Sequence, residues 1–214
     1  MSVIVSDRRT LIVGLGKTGL SCVRYLCEKG RDVAVADSRL SPPGLDDLRA
    51  EWPDLPVYLG EFDADLFAGF NELVVSPGIS VAEPAIRVAA DKGAVIRGDI
   101  DLFSEVADAP IIAITGSNGK TTVTTLVGEM ARAAGRRVEV GGNIGTPALE
   151  LLGRGADLYV LELSSFQLET TTTFRPWVAI WLNFSDDHLD RHPSIESYAS
   201  AKARIFANQT GDDW

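Results

Sequence analysis

The sequence predicts an α/β protein built from two consecutive parallel-sheet domains, and three observations support this class. Strand-like and helix-like segments alternate along the whole chain, as they do in βαβ units. A glycine-rich turn follows a short apolar strand twice, at residues 14–19 and again at residues 115–121. The length of 214 residues suits two domains of about 100 residues each.

The first domain is predicted to be Rossmann-like, with a parallel sheet, and to cover residues 1–97. Its strands are short apolar runs rich in β-branched residues, such as TLIV at residues 10–13. The predicted strands cover residues 10–13, 32–36, 56–59, 72–75 and 94–96. The predicted helices cover residues 17–29 and 81–92, where apolar residues recur at helical spacing.

The second domain is predicted to cover residues 98–214 and to be an incomplete P-loop mononucleotide-binding α/β domain. A short helix at 98–106 precedes strands at 110–115, 137–140, 158–161 and 178–181 and a helix at 194–208. The helix after the first of these strands ends near Gly135. Its apolar face is marked by Val123, Leu126, Val127, Met130 and Ala134. Because a P-loop sheet usually carries more strands, we expect the chain to be a fragment.

Composition and charge exclude several functional classes. The net charge of −10, without a dense cluster of lysine and arginine, argues against a nucleic-acid partner. The chain lacks the run of about 18 apolar residues that a membrane span requires, and its start does not resemble a signal peptide. Cys22 and Cys27 are expected to be packing residues in a reducing compartment, so the cytoplasm is the expected location.

Residues 14–19, GLGKTG, form a G-x-G-x-x-G motif between a strand and a helix. Glycines at these positions allow a tight turn, close approach of a diphosphate and close packing of the helix on the strand. Asp37 ends the next strand, where an acidic residue can bind a ribose hydroxyl. The motif predicts nucleotide binding, with a ligand-free turn as the alternative, and it does not separate NAD from another diphosphate nucleotide.

A second glycine-rich loop, TGSNGKTT, follows a strand and opens an amphipathic helix. Its amides can surround phosphates, Lys120 can reach the terminal phosphates, and the Thr121 hydroxyl can bind Mg²⁺. The loop departs from the usual G-x-x-x-x-G-K-[ST] pattern, because Ile114 replaces the first glycine and Gly116 follows two residues later. We expect ATP or GTP to bind here. The expected contacts are Thr115, Gly116, Ser117, Asn118, Gly119, Lys120, Thr121 and Thr122.

Further candidate Mg²⁺ ligands follow two later strands, at the sheet edge where parallel α/β proteins usually bind ligands. Glu162 ends one strand, and the sequence DDH at residues 186–188 follows the next. A carboxylate there commonly holds Mg²⁺; helix capping, a salt bridge or a hydrogen-bonded loop histidine are the alternatives. His188 and His192 have the spacing of a zinc pair on a helix, but Pro193 disfavours a continuous helix, so zinc is not expected.

Lys202 falls on the apolar stripe of the last predicted helix. A charged amine that faces a core costs free energy unless it is paired, neutralised or directed into a site. The pattern therefore marks Lys202 as a candidate site residue, and a lysine that extends along the apolar surface to solvent is the alternative. The other residues of the stripe are Ile195, Tyr198, Ala199, Ile205 and Phe206.

Together these motifs resemble the Mur ligases, and within that family the members that add D-glutamate. The resemblance extends in order and spacing over essentially all 214 residues. The loop TGSNGKTT is typical of the whole family and of folylpolyglutamate synthases, whereas GGNIG at 141–145 and LELSSFQLE at 161–169 are narrower. The remaining matching segments are GLGKTGLS at 14–21, SPGI at 76–79 and DDHLDRH at 186–192.

The resemblance implies ATP-dependent amide formation between UDP-N-acetylmuramoyl-L-alanine and D-glutamate in peptidoglycan synthesis, through an acyl phosphate and with Mg²⁺. The catalytic residues that it implies are Lys120, His188 and Lys202. The metal ligands that it implies are Thr121, Glu162, His188 and Lys202, the last carried as a carbamate. The substrate-binding residues that it implies are Gly14, Gly16, Lys17, Thr18, Gly19, Asp37, Ser38, Arg39, Ser76, Gly78 and Asn143.

Members of the family continue beyond the point where this sequence stops, so we expect the chain to bind at least one nucleotide weakly and to form no product by itself. Two other functions stay open: an NAD-dependent dehydrogenase that uses the first turn, and a nucleotide-binding module without catalysis. We expect small-molecule substrates and no nucleic-acid or membrane partner, and the oligomeric state is unknown. An exposed sheet edge in the second domain is expected to favour self-association.

Overall fold

The computed structural model describes residues 9–186 and 191–214. The chain forms two compact units, Met1–Asp99 and Ile100–Trp214, and each contains its own parallel sheet. The sequence pattern places the division at Arg97. None of the helices in the described ranges is both long enough and apolar enough to cross a lipid bilayer.

The first unit contains a five-stranded parallel sheet. Its strands are β1 (Arg9–Val13), β2 (Asp32–Asp37), β3 (Val57–Leu59), β4 (Glu72–Val75) and β5 (Val95–Arg97). Its helices are α1 (Lys17–Glu28), α2 (Leu45–Glu51), α3 (Ala64–Phe67) and α4 (Pro84–Asp91). The strand order β3-β2-β1-β4-β5 is the Rossmann order 3-2-1-4-5-6 without its sixth strand. The turn after β1 therefore lies where the strand order reverses, which is the usual ligand position in such sheets.

The central strands of this sheet are covered on both faces. Successive residues of β1, β2 and β4 are buried, although neighbouring side chains on a strand point to opposite sides. This double cover explains why these strands are continuous apolar runs in the sequence. One of the two layers packs Leu11, Val13, Ala34, Ala36, Phe67, Phe70, Leu73, Val75, Ala85, Ile86 and Ala89 together.

In the chain, α5 (Asp99–Ser104) precedes the four-stranded parallel sheet of the second unit. The strands are β6 (Ile111–Thr115), β7 (Val138–Gly142), β8 (Leu158–Glu162) and β9 (Val178–Trp181). The helices are α6 (Lys120–Ala133), α7 (Ser165–Glu169) and α8 (Ile195–Ala203), with 3₁₀ turns at Ala148–Leu151 and Arg204–Phe206. The strand order is β7-β8-β6-β9, so the loop after β6 again lies at a reversal of strand order. The predicted α/β class is confirmed.

The face of α6 that packs on the sheet differs from the predicted one. Val123 and Val127 pack against the core of the sheet as predicted. The other three predicted residues are exposed: Leu126, Met130 and Ala134. Gly128 is buried instead, and a Cβ atom there would lie 2.6 Å from a side-chain carbon of β7. The helix approaches β7 so closely that a small residue must face the sheet, and hydrophobicity alone does not reveal this requirement.

The outer edge of β9 is bonded in part by the last residue of the sequence. The Trp214 N–H donates to the Trp177 carbonyl at 2.9 Å, and the Trp214 carbonyl accepts the Ala179 N–H at 2.8 Å. These two bonds satisfy backbone groups on one of the two edges of this sheet, and β7 forms the other edge. Self-association through this sheet stays a prediction.

Candidate functional site

The turn after β1 is closed by glycines and by a serine that follows β4. Gly14 has a φ of +95°, in the left-handed region that favours glycine. A Cβ atom at Gly19 would lie 1.9 Å from the Gly14 carbonyl oxygen, and Ser76 Oγ donates to that oxygen at 2.8 Å. A Cβ atom at Gly16 meets nothing within 4 Å. The middle of the motif therefore faces open space, where a ligand can approach the backbone.

Asp37, at the end of β2, anchors this turn from the neighbouring strand. Its buried carboxylate accepts the Leu15 N–H at 2.7 Å and three N–H groups of Arg39 at 2.7, 2.8 and 2.9 Å. Burial alone would raise the pKa of Asp37, but the hydrogen bonds from Arg39 and Leu15 outweigh burial and hold this pKa below its usual value. Both oxygens are thus engaged within the protein, whereas Ser38 and Arg39 are exposed.

Three chain segments of the first unit meet at the carboxyl edge of its sheet. They are the motif at residues 14–19, the segment at 37–39 and the loop at 76–78, because β1 pairs with both β2 and β4 in parallel. Lys17 is exposed at the start of α1, whose first turn has no acidic residue. The helix amides and Lys17 therefore create a positive field at this edge. Of the predicted substrate-binding residues, Asn143 alone belongs to the second unit.

The loop between β6 and α6 begins with Gly116 and ends with Gly119, and both glycines have positive φ angles. Gly116 and Gly119 have φ values of +156° and +76°, and a Cβ atom at Gly116 would lie 3.2 Å from the Cβ atom of Leu182. α6 begins directly afterwards, so the amides of its first turn have no acceptor within the helix. Lys120 Nζ donates to the carbonyls of Gly116 and Ser117 at 3.0 Å each. A lysine amine and a helix N-terminus together suit a phosphate group.

Asn183, which sequence reasoning missed, is hydrogen-bonded to this loop. Its Oδ1 accepts the N–H groups of Ser117 at 3.1 Å and Asn118 at 2.9 Å, and its Nδ2 donates to the Asn118 carbonyl at 2.9 Å. Two of the amides predicted to surround phosphates are therefore engaged by the protein, and the first turn of α6 supplies the others. In the sequence, Asn183 is marked only by its position shortly after a predicted strand. Many loop asparagines have such a position, so it does not identify a site residue.

Glu162, at the end of β8, joins two other predicted site residues. Its Oε2 accepts the Thr121 hydroxyl at 2.8 Å, and its Oε1 accepts Asn143 Nδ2 at 2.8 Å. The Glu162 side chain is buried. Ser164 rather than Glu162 caps α7, so the capping alternative is wrong. The structure brings a buried carboxylate and a threonine hydroxyl together beside the loop, and such oxygen donors suit Mg²⁺.

Lys202 on α8 is 1% exposed, so its amine does not extend to solvent. Its Nζ donates to the Gly116 carbonyl at 2.8 Å and lies 3.4 Å from Thr115 Oγ1 and 4.7 Å from the centre of the Tyr198 ring. The amines of Lys202 and Lys120 thus both donate to the Gly116 carbonyl. The structure therefore brings a residue from the last helix to the glycine-rich loop, which lies 86 positions earlier in the sequence.

Of the two histidines considered as metal ligands, the structure describes His192. His188 lies outside the described residues. His192 is buried, its Nε2 lies 2.9 Å from Ser165 Oγ, and its ring stacks on Phe166 with the ring centres 5.3 Å apart. Among the residues that the structure describes, no three His, Cys, Asp or Glu side chains form a metal-binding group. Within the described ranges, the oxygen donor that contacts Glu162 is the Thr121 hydroxyl.

Comparison with known proteins covers almost the whole chain. A family model described as the N-terminal domain of MurD-like Mur ligases matches residues 8–98, and one described as the Mur ligase middle domain matches residues 114–213. The chain belongs to the Mur ligase family. It contains the N-terminal and middle domains of that family, in the order that the two glycine-rich motifs predict.

Curated relatives agree with this assignment. The chain is 77% identical over 206 residues to the UDP-N-acetylmuramoylalanine–D-glutamate ligase of Marinobacter nauticus. It is 57% identical over 206 residues to the protein of the same name from Pseudomonas aeruginosa. Each alignment covers 96% of this chain and 46% of the relative. The chain therefore spans a little under half the length of these relatives.

Solved structures of more distant ligases share the fold. One is the UDP-N-acetylmuramate:L-alanyl-γ-D-glutamyl-meso-diaminopimelate ligase of Neisseria meningitides, with a TM-score of 0.60 and 18% identity over 97% of this chain and 70% of that one. Another is the UDP-N-acetylmuramate–alanine ligase of Thermotoga maritima, with a TM-score of 0.54 and 23% identity over 94% of this chain and 47% of that one. At such identities the likeness supports the fold alone.

Proposed function

We propose that the chain supplies the UDP-substrate-binding and ATP-binding parts of a ligase that joins D-glutamate to UDP-N-acetylmuramoyl-L-alanine. The observation that carries the proposal is the arrangement beside the loop after β6. There the Thr121 hydroxyl lies 2.8 Å from the Glu162 carboxylate, and two lysine amines donate to the Gly116 carbonyl. The 77% identity to a ligase with this name supports the choice of reaction.

ATP phosphates are proposed to bind between Lys120 and the first turn of α6. Lys120 Nζ donates to two loop carbonyls, and these bonds would be exchanged for stronger bonds to phosphate oxygens, in which donor and acceptor are both charged. In the proposed reaction, the alanyl carboxylate attacks the γ-phosphate, so that ADP leaves and an acyl phosphate forms. The amine of D-glutamate then attacks the acyl carbon, loses a proton and displaces inorganic phosphate to form the amide. Negative charge gathers on the transferred phosphoryl oxygens, and a positioned lysine and helix amides stabilise it.

Mg²⁺ is proposed as the cofactor, and the side chains present fit it. Thr121 and Glu162 offer hard oxygen donors that already contact each other. His188 and Lys202 are proposed as further ligands, with Lys202 carried as a carbamate that replaces a buried ammonium by an oxygen donor. The bound cation would neutralise phosphate charge during phosphoryl transfer. Hydrogen bonds from Thr121 and Asn143 fix the orientation of the Glu162 carboxylate.

The UDP-linked substrate is proposed to bind at the carboxyl edge of the first sheet. The first-turn amides of α1 and Lys17 would hold the diphosphate, and Ser38 and Arg39 would contact the uridine. Asp37 supports this arrangement because it fixes the position of Arg39. The same bonds disfavour the dehydrogenase alternative, since an acidic residue that binds the ribose of NAD must accept a ribose hydroxyl, and the Asp37 carboxylate already accepts four N–H groups.

Calorimetric titration of ATP with Mg²⁺, of UDP-N-acetylmuramoyl-L-alanine and of NAD tests this proposal. We expect the chain to bind the first two ligands. Lys120→Ala should weaken ATP binding roughly 10- to 100-fold, because a charge-assisted contact is lost, and should leave the UDP-linked substrate unaffected. Lys17→Glu should show the opposite pattern, so that each variant is the control for the other. Failure to bind ATP, or preference of the first unit for NAD, would contradict the proposal.

A nucleotide-binding module without catalysis would give the same binding results. Release of ADP that depends on D-glutamate, measured on a ligase of full family length that carries these residues, distinguishes the two functions. Dependence of ADP release on both D-glutamate and Lys120 is the expected result.

A further inference from the structure

We infer that Asn183 is a positioning residue of the proposed ATP site, and that it holds the loop after β6 in the form that receives phosphates. The inference rests on the proposed function, because it assumes that ATP binds at this loop. Asn183 lies two residues after the end of β9, and β9 is the strand next to β6. It is not proposed to contact ATP and would act through the loop.

The carboxamide of Asn183 forms hydrogen bonds with both the backbone N–H and the backbone carbonyl of one loop residue, Asn118. Its Oδ1 accepts the Asn118 N–H at 2.9 Å, and its Nδ2 donates to the Asn118 carbonyl at 2.9 Å. Oδ1 also accepts the Ser117 N–H at 3.1 Å. A carboxamide is the side chain that can donate and accept in this way. The three bonds define one orientation of the side chain and one path of the backbone at residues 117 and 118.

These bonds divide the loop into two parts with different tasks. The amides of Ser117 and Asn118 point to Asn183. Gly119 then reverses the chain with a φ of +76°, and α6 starts at the next residue. The first-turn amides of α6 have no acceptor within the helix and are oriented for a ligand. Asn183 thus prevents the first two amides from competing for phosphate and fixes the point at which the ligand-facing amides begin.

The same support extends to Lys120. Its Nζ donates to the carbonyls of Gly116 and Ser117, so the shape of the loop determines where the amine lies. The loop is packed against the backbone of the segment that contains Asn183, since a Cβ atom at Gly116 would lie 3.5 Å from both the amide nitrogen and the carbonyl oxygen of Asn183. Loss of the carboxamide would therefore change the shape of the loop and the position of the Lys120 amine together.

A second set of hydrogen bonds joins the same two segments. Ser117 Oγ donates to the Ser185 carbonyl and accepts the Ser185 N–H, both at 3.1 Å, and lies 3.1 Å from the Tyr198 hydroxyl. Because these bonds remain after Asn183 is truncated, the loop should stay attached to the protein. The expected defect is therefore a change in loop shape, and the unit should still fold.

The test compares Asn183→Ala with a matched control, Asn208→Ala. Asn208 also lies in the second unit, and its Nδ2 donates to the backbone carbonyls of Thr172 and Phe174 at 2.9 and 3.0 Å. Both variants lose hydrogen bonds from an asparagine to backbone. Asn183→Ala should weaken ATP binding about tenfold or more, since several bonds of the site are lost, whereas Asn208→Ala should leave it within about twofold. Both should bind the UDP-linked substrate as the unaltered chain does.

Amide hydrogen exchange in the unaltered chain supplies a second measurement that needs no variant. The amides of Ser117 and Asn118 should exchange slowly before ATP is added, because Asn183 accepts both. The amides of residues 119–121 should exchange fast and become protected when ATP binds. Exchange of Ser117 and Asn118 as fast as that of Gly119 without ATP would overturn the inference.

The outcomes separate this inference from the proposed function. If the unaltered chain binds no ATP, the proposed function and the role of Asn183 in ATP binding both fail, although the exchange rates still report the loop shape. If the chain binds ATP and Asn183→Ala binds it as tightly as Asn208→Ala does, the proposed function stands and the inference fails. A loss confined to Asn183→Ala, with slow exchange at Ser117 and Asn118, supports both.

Discussion

The turn after β1 and the loop after β6 are both held by a side chain from the end of a neighbouring strand. In the first turn, Asp37 at the end of β2 accepts the Leu15 N–H. In the second, Asn183 after β9 accepts the N–H groups of Ser117 and Asn118. β2 pairs with β1, and β9 pairs with β6, in parallel. The carboxyl ends of adjacent parallel strands meet at one edge, so each anchor reaches its turn across a single strand spacing.

The two anchors differ in charge. Asp37 carries a negative charge that Arg39 balances through a contact of 2.7 Å, whereas Asn183 is neutral. A carboxylate beside bound phosphate repels it unless a cation lies between them. The comparison indicates that a strand-end anchor can be acidic where an arginine accompanies it. Beside a loop that holds a triphosphate, a carboxamide provides the same hydrogen bonds without the repulsion.

The largest expected effect concerns the packing of the first turn. Gly19→Ala places a Cβ atom 1.9 Å from the Gly14 carbonyl oxygen, so α1 must move away from the turn. We expect the first unit to lose about 3 kcal/mol of its free energy of unfolding, as in overpacked cores. The matched variant Gly16→Ala meets nothing within 4 Å and should unfold as the unaltered chain does, while it binds the UDP-linked substrate more weakly.

Chemical denaturation and calorimetry measure the two glycine variants. Equal stability of Gly19→Ala and Gly16→Ala would mean that the turn does not need its close helix contact. Unchanged binding of the UDP-linked substrate by Gly16→Ala would mean that the ligand does not approach the backbone there.

An intermediate effect is expected when the charges of the anchors are altered. Asn183→Asp keeps an acceptor for the loop amides but adds a negative charge, and it should weaken ATP binding about tenfold, with partial recovery at high salt. Asp37→Asn removes a charge and keeps the shape, so binding of the UDP-linked substrate should change less. Titrations at low and high salt measure both. A larger loss in Asp37→Asn, or a loss in Asn183→Asp that salt does not relieve, would contradict the role assigned to charge.

The smallest expected effect is a dependence of stability on pH. The pKa of Asp37 is lowered from 3.8 in the folded chain, so its ionised form favours folding. This contribution is complete at neutral pH and is lost as the pH falls below 3.8 and through the lowered pKa. In Asp37→Asn, the free energy of unfolding should decrease less between neutral pH and pH values below about 4. Denaturation curves over this range measure the difference, and parallel curves for the two proteins would exclude it.

Local pattern predicted several strands well and missed three short helices. β4 and β9 lie at the predicted residues, and β1 differs by one, because buried parallel strands are continuous apolar runs. α2, α3 and α7 were not predicted, since helices of four to seven residues have too few turns to show a period. α4 begins at Pro84 rather than at residue 81, because proline suits the first position of a helix.

Residue type and spacing alone were enough to locate both glycine-rich turns and to mark four site residues. Lys120 and Thr121 follow a glycine-rich loop, Glu162 ends a strand, and Lys202 breaks an apolar stripe. Folding decided which of these side chains meet. In the folded chain, Lys202 donates to the Gly116 carbonyl, and Asp37 accepts the Leu15 N–H of the turn after β1. Leu126 is exposed, and Asn183 accepts the Ser117 N–H of the loop after β6. The physical reason is that hydrogen bonds and close contacts depend on distances across adjacent strands. The periodicity of apolar residues along one segment does not determine those distances.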